Sequence, residues 1–158
     1  MAHEYEPFVL TPVGVVRSPR SEVRDDDWGD VVSTIEIDAA RFAPDALAGL
    51  DAFSHAEVLF FMNRIDESEV ERGARHPRGR ADWPVVGIFA QRAKWRPNRV
   101  GASLCRVLAV EGLSIRVEGL DAIDGTPVLD VKPYMREFGP RGEVGQPEWA
   151  TELMARYY

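Results

Sequence analysis

Residues 87–101 combine the residue types best suited to hold a small anion. Arg92 and Arg96 flank a short Ala-Lys-Trp stretch, and Pro97 and Asn98 follow directly. Proline fixes a backbone dihedral, whereas asparagine and glycine accept conformations that other residues avoid. Guanidinium groups bind carboxylates and phosphates through paired hydrogen bonds. The segment therefore predicts a rigid ligand loop, and a charged hairpin loop without a ligand remains the alternative.

Three aspartates further along the chain are candidates for a general base or for a cation site. They are Asp121, Asp124 and Asp130, set among apolar residues. Asp124 precedes a glycine, so a turn role explains it equally well. Asp130 and Lys132 lie two residues apart on one face of a strand, which also fits an ordinary ion pair. The residue types alone leave the catalytic base unassigned.

The histidines and the cysteine do not predict a metal centre. His3, His55 and His76 lack the spacing of metal ligands. Cys105 lies within a predicted strand, where a buried inert thiol is the expected role. A single cysteine also excludes an internal disulfide framework. We therefore expect no metal and no disulfide in this chain.

The charge of the chain is unevenly distributed. The 158 residues carry 19 Lys and Arg against 26 Asp and Glu, a net charge of −7. Residues 72–106, however, hold nine bases and one acid, so this segment carries +8 and the remainder −15. A local basic surface can bind an anionic partner even when the whole protein is acidic. Alternatively, these arginines pair with the acidic remainder of the fold.

Strands dominate the predicted secondary structure. Glu111-Gly112 and Asp124-Gly125 are turn signals between runs that are rich in β-branched residues. The alternation of helices and strands that is typical of a parallel sheet is absent. The predicted strands cover residues 8–17, 31–37, 56–62, 84–90, 100–110, 113–119 and 127–131.

Helical content is predicted to be small. A short helix is expected over residues 43–50, and a terminal one over residues 147–157, which begins with proline. Many short strands with few helices predict a mostly β fold: a small antiparallel β-barrel of about six to seven strands with a short C-terminal helix. The length fits one domain over residues 1–158. No apolar run is long enough to cross a membrane, and a cytoplasmic location is expected.

Several motifs together resemble the TsaA-like family, the TrmO-type S-adenosylmethionine-dependent tRNA methyltransferases. The first are Gly-Val-Val-Arg-Ser-Pro at residues 14–19 and Phe-Ser-His at residues 53–55. The others are the arginine loop at residues 92–101 and the stretch from Leu120 to Tyr134, which contains Asp-Gly-Thr-Pro. The resemblance runs in order from about residue 13 to residue 134. It implies a small homodimeric β-barrel that holds S-adenosylmethionine near the subunit interface.

The resemblance also implies which residues contact the cofactor. They come from the residues after the third predicted strand, from the arginine loop and from the segment before Asp-Gly-Thr-Pro. Matched position by position, they are Asn63, Arg64, Ile65, Arg92, Arg96, Asn98, Gly101, Ala102, Gly119, Leu120 and Asp121.

The function implied by the resemblance is methyl transfer to N6 of threonylcarbamoyladenosine beside the tRNA anticodon. The basic loop would then hold tRNA phosphates through Arg72, Arg75, Arg78 and Arg80. Trp83 or Trp95 could stack on an unpaired base, although packing inside the protein is the preferred interpretation for both. Two alternatives stay open: a methyltransferase for another RNA or a small metabolite, and a non-enzymatic module that binds the cofactor.

Overall fold

Short runs with apolar residues at every second position form the walls of the molecule. The computed structural model describes residues 4–158, so His3 lies outside the described part of the chain. Within that part the strands are β1 (Gly14–Arg17), β2 (Val32–Ile37), β3 (His55–Phe61), β4 (Ala74–Arg75), β5 (Val86–Gly87), β6 (Val100–Glu111), β7 (Ser114–Glu118) and β8 (Pro127–Pro133). The prediction of a mostly β fold is confirmed.

Six strands close into an antiparallel barrel in the order β1-β2-β7-β6-β3-β8, and β8 pairs back onto β1. Alternate residues of β3, such as Val58 and Phe60, point inward and are buried. They meet Ile35 of β2 and Ile115 of β7 in one apolar core. The barrel prediction is therefore confirmed, and the short strands β4 and β5 form a separate two-stranded sheet.

Both predicted turns are present. Gly112 adopts a left-handed φ of 58° between β6 and β7, whose pairing runs up to Glu111 opposite Ser114. Gly125 adopts a left-handed φ of 78° just before β8. Glycine accepts this conformation without steric cost, which explains why each turn falls where the sequence places a glycine.

The predicted strand over residues 8–17 is wrong in its first half. Only β1 is paired, beginning at Gly14 opposite Ile37, the last residue of β2. Phe8 and Val9 are exposed, and Pro12 has no N–H to donate to a neighbouring strand. The apolar residues before β1 therefore lie outside the barrel core.

Two further segments differ from their predictions. The predicted strand over residues 84–90 is reduced to β5, and a 3-10 turn at Ile88–Ala90 follows. The predicted helix over residues 43–50 is replaced by successive turns, in which Ala46 N–H donates to Ala43 C=O three residues back. Bonds that span three residues belong to turns and 3-10 helices, and they seldom extend into long helices.

The C-terminal helix is confirmed, although it is shorter than predicted. Helix α1 (Glu148–Met154) starts immediately after Pro147 and is the α-helix of the described residues. None of the helices described for this chain has the length and apolarity needed to cross a membrane.

Candidate ligand cleft at one end of the barrel

The strand ends and loops at one end of the barrel surround a cleft. Because neighbouring strands are antiparallel, β3 ends at the side where β6 begins, and Phe61 pairs with Val100 there. The cleft has a volume of about 1510 Å³. Pockets for a single small ligand typically have about 300–1,000 Å³. Eight of the predicted cofactor residues line it: Asn63, Arg64, Ile65, Arg92, Arg96, Gly101, Ala102 and Asp121.

Main-chain carbonyls hold the arginines of the loop between β5 and β6. Arg92 Nη2 donates to Ala102 O at 2.6 Å, and Arg96 Nη1 donates to Gln91 O at 2.7 Å. A guanidinium has five N–H donors in a fixed plane, so one such bond orients the group and leaves other donors for a ligand. The loop turns at Asn98, whose φ of 62° is left-handed, a conformation that asparagine tolerates. The rigid loop predicted from the sequence is therefore present.

Residues 62–65 form the opposite lip of the cleft. Ile65 N–H donates to Met62 O at 3.2 Å, and the Ile65 side chain is buried beneath this turn. Across from them, Gly101 lies so close to the Phe60 ring that a Cβ there would be 2.3 Å from Phe60 Cε2. Glycine thus allows the ring and β6 to pack at the cleft floor.

Three predicted cofactor residues do not line the cleft. Asn98 forms the turn described above, and Leu120 is fully buried in the barrel core. Gly119 has a left-handed φ of 83°, and its N–H donates to Val31 O at 3.0 Å. In this structure these residues have structural roles next to the cleft: two lie at left-handed backbone positions and one packs in the core.

Asp121 is the carboxylate that reaches into the cleft from the segment between β7 and β8. Its two oxygens accept hydrogen bonds from the hydroxyl groups of Ser103 and Tyr157. Burial raises the pKa of the Asp121 carboxyl, while the Tyr157 hydroxyl and the positive charge of Arg92 act in the opposite direction. The net direction is upward, which is typical of carboxyls that take part in proton transfer.

The other two candidate aspartates have structural roles. Asp124 Oδ1 accepts a hydrogen bond from Ser18 N–H at 3.0 Å and fastens the turn before β8. Asp130 pairs with Lys132 at 2.6 Å on the exposed outer wall of the barrel. The turn and ion-pair interpretations of these two residues are confirmed.

The C-terminal segment also lines the cleft, a contribution that was not predicted from the sequence. Trp149 and Leu153 lie four residues apart on one face of α1, Tyr157 follows in the turn after the helix, and all three line the cleft. The segment is tied to the loop between β1 and β2, since Trp28 N–H donates to Tyr157 O at 2.7 Å. The four-residue spacing was the available signal.

The loop between β1 and β2 forms a further wall. Val23, Arg24, Asp25 and Trp28 line the cleft. Arg20 fastens the loop, because its guanidinium donates to the main-chain carbonyl of Asp26 at 2.8 Å and lies over the Trp28 ring. Contacts within the loop therefore hold it in place as a wall of the cleft.

Acidic partners neutralise part of the predicted RNA-binding loop. Arg72 pairs with Glu67 at 2.9 Å, and Arg80 pairs with Asp82. Arg78 makes a two-pronged ion pair with Asp26, which lowers the pKa of that carboxyl. The alternative given for these arginines, pairing with the acidic remainder of the fold, is therefore confirmed for Arg72 and Arg78, whereas Arg80 pairs with Asp82, the one acid of the basic segment itself.

Arg75 differs from the rest of the predicted RNA-binding set. Its guanidinium lies 4.4 Å from the centre of the Trp95 ring, and its Nε is buried without a hydrogen-bond partner. Of the basic side chains that line the cleft within residues 4–158, four have no carboxylate at ion-pair distance: Arg64, Arg75, Arg92 and Arg96. The cleft therefore keeps a positive charge that an anionic ligand can neutralise.

Trp83 is a packing residue. Only 5% of it is exposed, its Nε1–H donates to Glu152 at 2.7 Å, and its ring faces that of Trp149. Trp95 is half-buried beneath Arg75 and Lys94 at the cleft wall. The packing interpretation is thus confirmed for Trp83, and Trp95 is the tryptophan of this pair that lines the cleft.

Cys105 and His55, two further candidate groups of the sequence, are not among the residues that line the cleft. Burial raises the pKa of the Cys105 thiol to about 12, so the nucleophilic thiolate is disfavoured. His55 Nδ1 is within 2.8 Å of Ser54 Oγ on the surface. In residues 4–158, no three His, Cys, Asp or Glu side chains are grouped so as to hold a metal ion.

A closed antiparallel barrel with an arginine-lined cleft at one end defines a class of small β-barrel proteins, unlike the doubly wound sheets of nucleotide-binding folds. The chain belongs to the family described as the tRNA-methyltransferase O N-terminal domain, whose model matches residues 19–139. The resemblance inferred from the motifs is thereby confirmed.

Individual relatives agree with this assignment. A probable S-adenosyl-L-methionine-binding protein of Methanothermobacter thermautotrophicus is 38% identical over 84% of this chain and 94% of its own length. The tRNA (adenine(37)-N6)-methyltransferase of Escherichia coli is 34% identical over 81% of this chain, which spans 58% of that relative. The human enzyme of the same name is 36% identical over 65% of this chain, which spans only 23% of it.

Solved structures support the same fold. A crystal structure of TrmO from Pseudomonas aeruginosa superposes with a TM-score of 0.74 at 27% identity, and the match covers 94% of this chain and 64% of the solved one. The barrel and the segments around its cleft thus account for about two-thirds of that relative.

Proposed function

We propose that this chain is an S-adenosylmethionine-dependent methyltransferase that acts on N6 of threonylcarbamoyladenosine next to the anticodon of tRNA. The observation that carries the proposal is the cleft, which combines unpaired arginines with a buried carboxylate in the family's own barrel. The printed names of the relatives, an S-adenosyl-L-methionine-binding protein and tRNA (adenine(37)-N6)-methyltransferases, support the cofactor and the substrate.

The residues of the cleft fit this cofactor. Arg92 and Arg96 offer guanidinium donors for an α-carboxylate, and the unpartnered buried Nε of Arg75 marks a place where a polar group is missing. Apolar side chains such as Ile65 and Ala102 offer surface for an adenine ring. The volume of about 1510 Å³ leaves room for a nucleoside beside the cofactor.

Methyl transfer requires that the protein position the cofactor and the substrate, and it needs no covalent intermediate with the protein. When bound, S-adenosylmethionine supplies a methyl group on a positively charged sulfur. The arginines would hold the carboxylate end of the cofactor, and the loop at residues 23–28 and the C-terminal segment line the cleft beside it. Holding two reactants in line contributes about 7–11 kcal/mol to lowering such barriers.

A calorimetric titration with S-adenosylmethionine tests the cofactor assignment. We expect one binding site per chain with a dissociation constant in the micromolar range. If no heat is released at millimolar cofactor, neither the methyltransferase nor a cofactor-binding module describes this chain. Binding without transfer to any RNA would favour the module instead.

Neutralising two loop arginines should weaken tRNA binding and flatten its salt dependence. In the double variant Arg72→Gln with Arg75→Gln, loss of two phosphate contacts reduces the slope of log affinity against log salt by roughly 1.5. The exposed pair between Arg72 and Glu67 contributes little to folding, so the fold should persist. Fluorescence anisotropy of labelled tRNA over a salt series measures the slope.

The matched control removes the same charge from the barrel wall. Arg106→Gln with Arg116→Gln changes two exposed arginines of β6 and β7 outside the cleft, and Arg106 has a half-buried acidic partner of its own in Glu118. This variant should keep the wild-type slope. Equal slopes in both double variants would remove the loop from the tRNA interface.

A homodimer is proposed as the working form, and the cytoplasm as its location. The side chains of Phe89 and Leu104 line the cleft and are 80% and 47% exposed, so a second copy that covers them would complete the cleft wall. Sedimentation equilibrium of the wild type measures the association. A cytoplasmic location follows from the proposed tRNA substrate.

A further inference from the structure

The described part of the cleft contains two carboxylates, and only one of them is without an ion pair. Asp25 is paired with Lys94 at 2.9 Å, whereas Asp121 accepts its hydrogen bonds from two neutral hydroxyls. A carboxylate that accepts hydrogen bonds from Ser103 and Tyr157 still has further lone pairs that can accept a proton. Asp121 is therefore the group of the cleft best placed to accept a proton.

Two parts of the molecule fix Tyr157 in its place. Its main-chain carbonyl accepts a hydrogen bond from Trp28 N–H at 2.7 Å, and its ring packs edge-on against Tyr158 at 5.0 Å between centres. One residue earlier, Arg156 O accepts from Asp27 N–H at 2.9 Å. Two consecutive backbone hydrogen bonds to the loop between β1 and β2 thus hold the segment after α1 so that the Tyr157 hydroxyl contacts Asp121.

We propose that Asp121 is the general base of the methyl transfer and that Tyr157 is the positioning residue that aims its carboxylate. This inference rests on the proposed function. As N6 of the substrate adenosine bonds to the methyl carbon, the carbon–sulfur bond breaks with its electron pair going to sulfur, and the N6 proton passes to Asp121. No further reactant is needed to balance the step.

The groups around Asp121 determine its titration. From β6 come Ser103 and Cys105, from the arginine loop Arg92, and from the C-terminal segment Tyr157 and Tyr158. The Tyr157 hydroxyl lowers the pKa of the Asp121 carboxyl by bonding to its charged form. Removing that hydroxyl should therefore raise the pKa of Asp121, a shift that a tyrosine without a bond to Asp121 would not cause.

The test uses two variants of the full chain and one direct observation of the carboxyl group. Asp121→Asn should lower kcat for methyl transfer to modified tRNA at least 100-fold, as loss of a general base typically lowers rates about 10²–10⁴-fold. Asp121 is also one of the predicted cofactor residues, so the dissociation constant for S-adenosylmethionine is measured as well. The base role predicts that kcat falls at saturating cofactor, whatever the change in affinity.

The second variant, Tyr157→Phe, tests whether the Tyr157 hydroxyl positions the Asp121 carboxylate, because it removes the hydroxyl and keeps the ring. It should lower kcat more than it changes KM and move the acid limb of the kcat profile to higher pH. Carbon-13 NMR of labelled aspartate in the protein alone should show the Asp121 carboxyl titrating at higher pH in this variant. Asp130→Asn and Tyr134→Phe make the same chemical changes outside the cleft and should leave all three readouts unchanged.

Each outcome supports or overturns one part of the account. If the wild type methylates no tRNA, the proposed function fails and the base role fails with it. If the wild type is active and Asp121→Asn retains most of its kcat, the base role alone fails. If Asp121→Asn weakens cofactor binding but keeps its kcat at saturating cofactor, Asp121 is a cofactor contact and the base role is overturned. An unshifted Asp121 titration in Tyr157→Phe overturns the positioning role.

Discussion

Replacing Arg92 with alanine weakens the binding of S-adenosylmethionine about 30-fold. The guanidinium is held by Ala102 O at the cleft and has no acidic partner at ion-pair distance among residues 4–158. A hydrogen bond to a charged ligand group contributes about 2 kcal/mol, and each 1.4 kcal/mol corresponds to about tenfold in affinity. Titration calorimetry of the purified variant measures the change directly. Lysine at this position should recover only part of the affinity, because an ammonium lacks the planar fork.

The matched control is Arg116→Ala on the exposed face of β7, which removes the same charge far from the cleft lining. This control should bind the cofactor as the wild type does. Unchanged affinity in Arg92→Ala would show that the arginine loop does not hold the carboxylate, and the cofactor would then need another orientation in the cleft.

Replacing Gly14 with alanine destabilises the barrel by about 3 kcal/mol, the upper end of typical overpacking costs. A Cβ at this position would lie 2.3 Å from the main-chain oxygen of Glu36 on β2. That neighbour is backbone, so β1 must move away from β2, and the closure of the barrel through β8 is strained. For a chain of this length the melting temperature should fall by roughly 6–12 °C.

Gly87→Ala provides the comparison for this change. Gly87 has no atom within 4 Å of a hypothetical Cβ and lies in the small sheet outside the barrel. Its replacement by alanine should leave the melting temperature unchanged or slightly higher, since alanine loses less chain entropy on folding. Equal melting temperatures for both variants would contradict the tight approach of β1 and β2.

The barrel could be predicted because its strands carry their own signals. Val58 and Phe60 alternate with less buried residues in β3, and glycines mark the turns before β7 and before β8. Prediction failed where local preference and tertiary pairing disagree. Residues 8–13 are as apolar as a strand, but the pairing of β1 with β2 starts only at Gly14.

The arginines of the cleft could be predicted from residue type, whereas the base could not. Three aspartates look alike in the sequence, and only the folded chain shows Asp124 in a turn, Asp130 on the outer wall and Asp121 inside the cleft. Tyr157 lies 36 residues beyond its partner Asp121. No local pattern connects two residues so far apart, so this pair required the structure.

The basic segment of the chain requires a similar correction. The net charge of +8 over residues 72–106 suggested a wide surface for RNA. Ion pairs of Arg72 and Arg78 with acids outside this segment neutralise part of it, and unpaired charge remains on the arginines that line the cleft. The positive field is therefore directed at the cleft, where both the cofactor carboxylate and the RNA backbone would enter.

The central claim is that this cleft delivers a methyl group to tRNA, and one measurement addresses it most directly. Purified protein is incubated with methyl-labelled S-adenosylmethionine and tRNA, prepared with and without the threonylcarbamoyl modification, and the nucleosides are then identified by mass spectrometry. We expect labelled N6-methylated threonylcarbamoyladenosine from the modified tRNA and no label in the unmodified tRNA. Label that appears equally in both preparations would contradict the proposed substrate, and no label in either would contradict the methyltransferase itself.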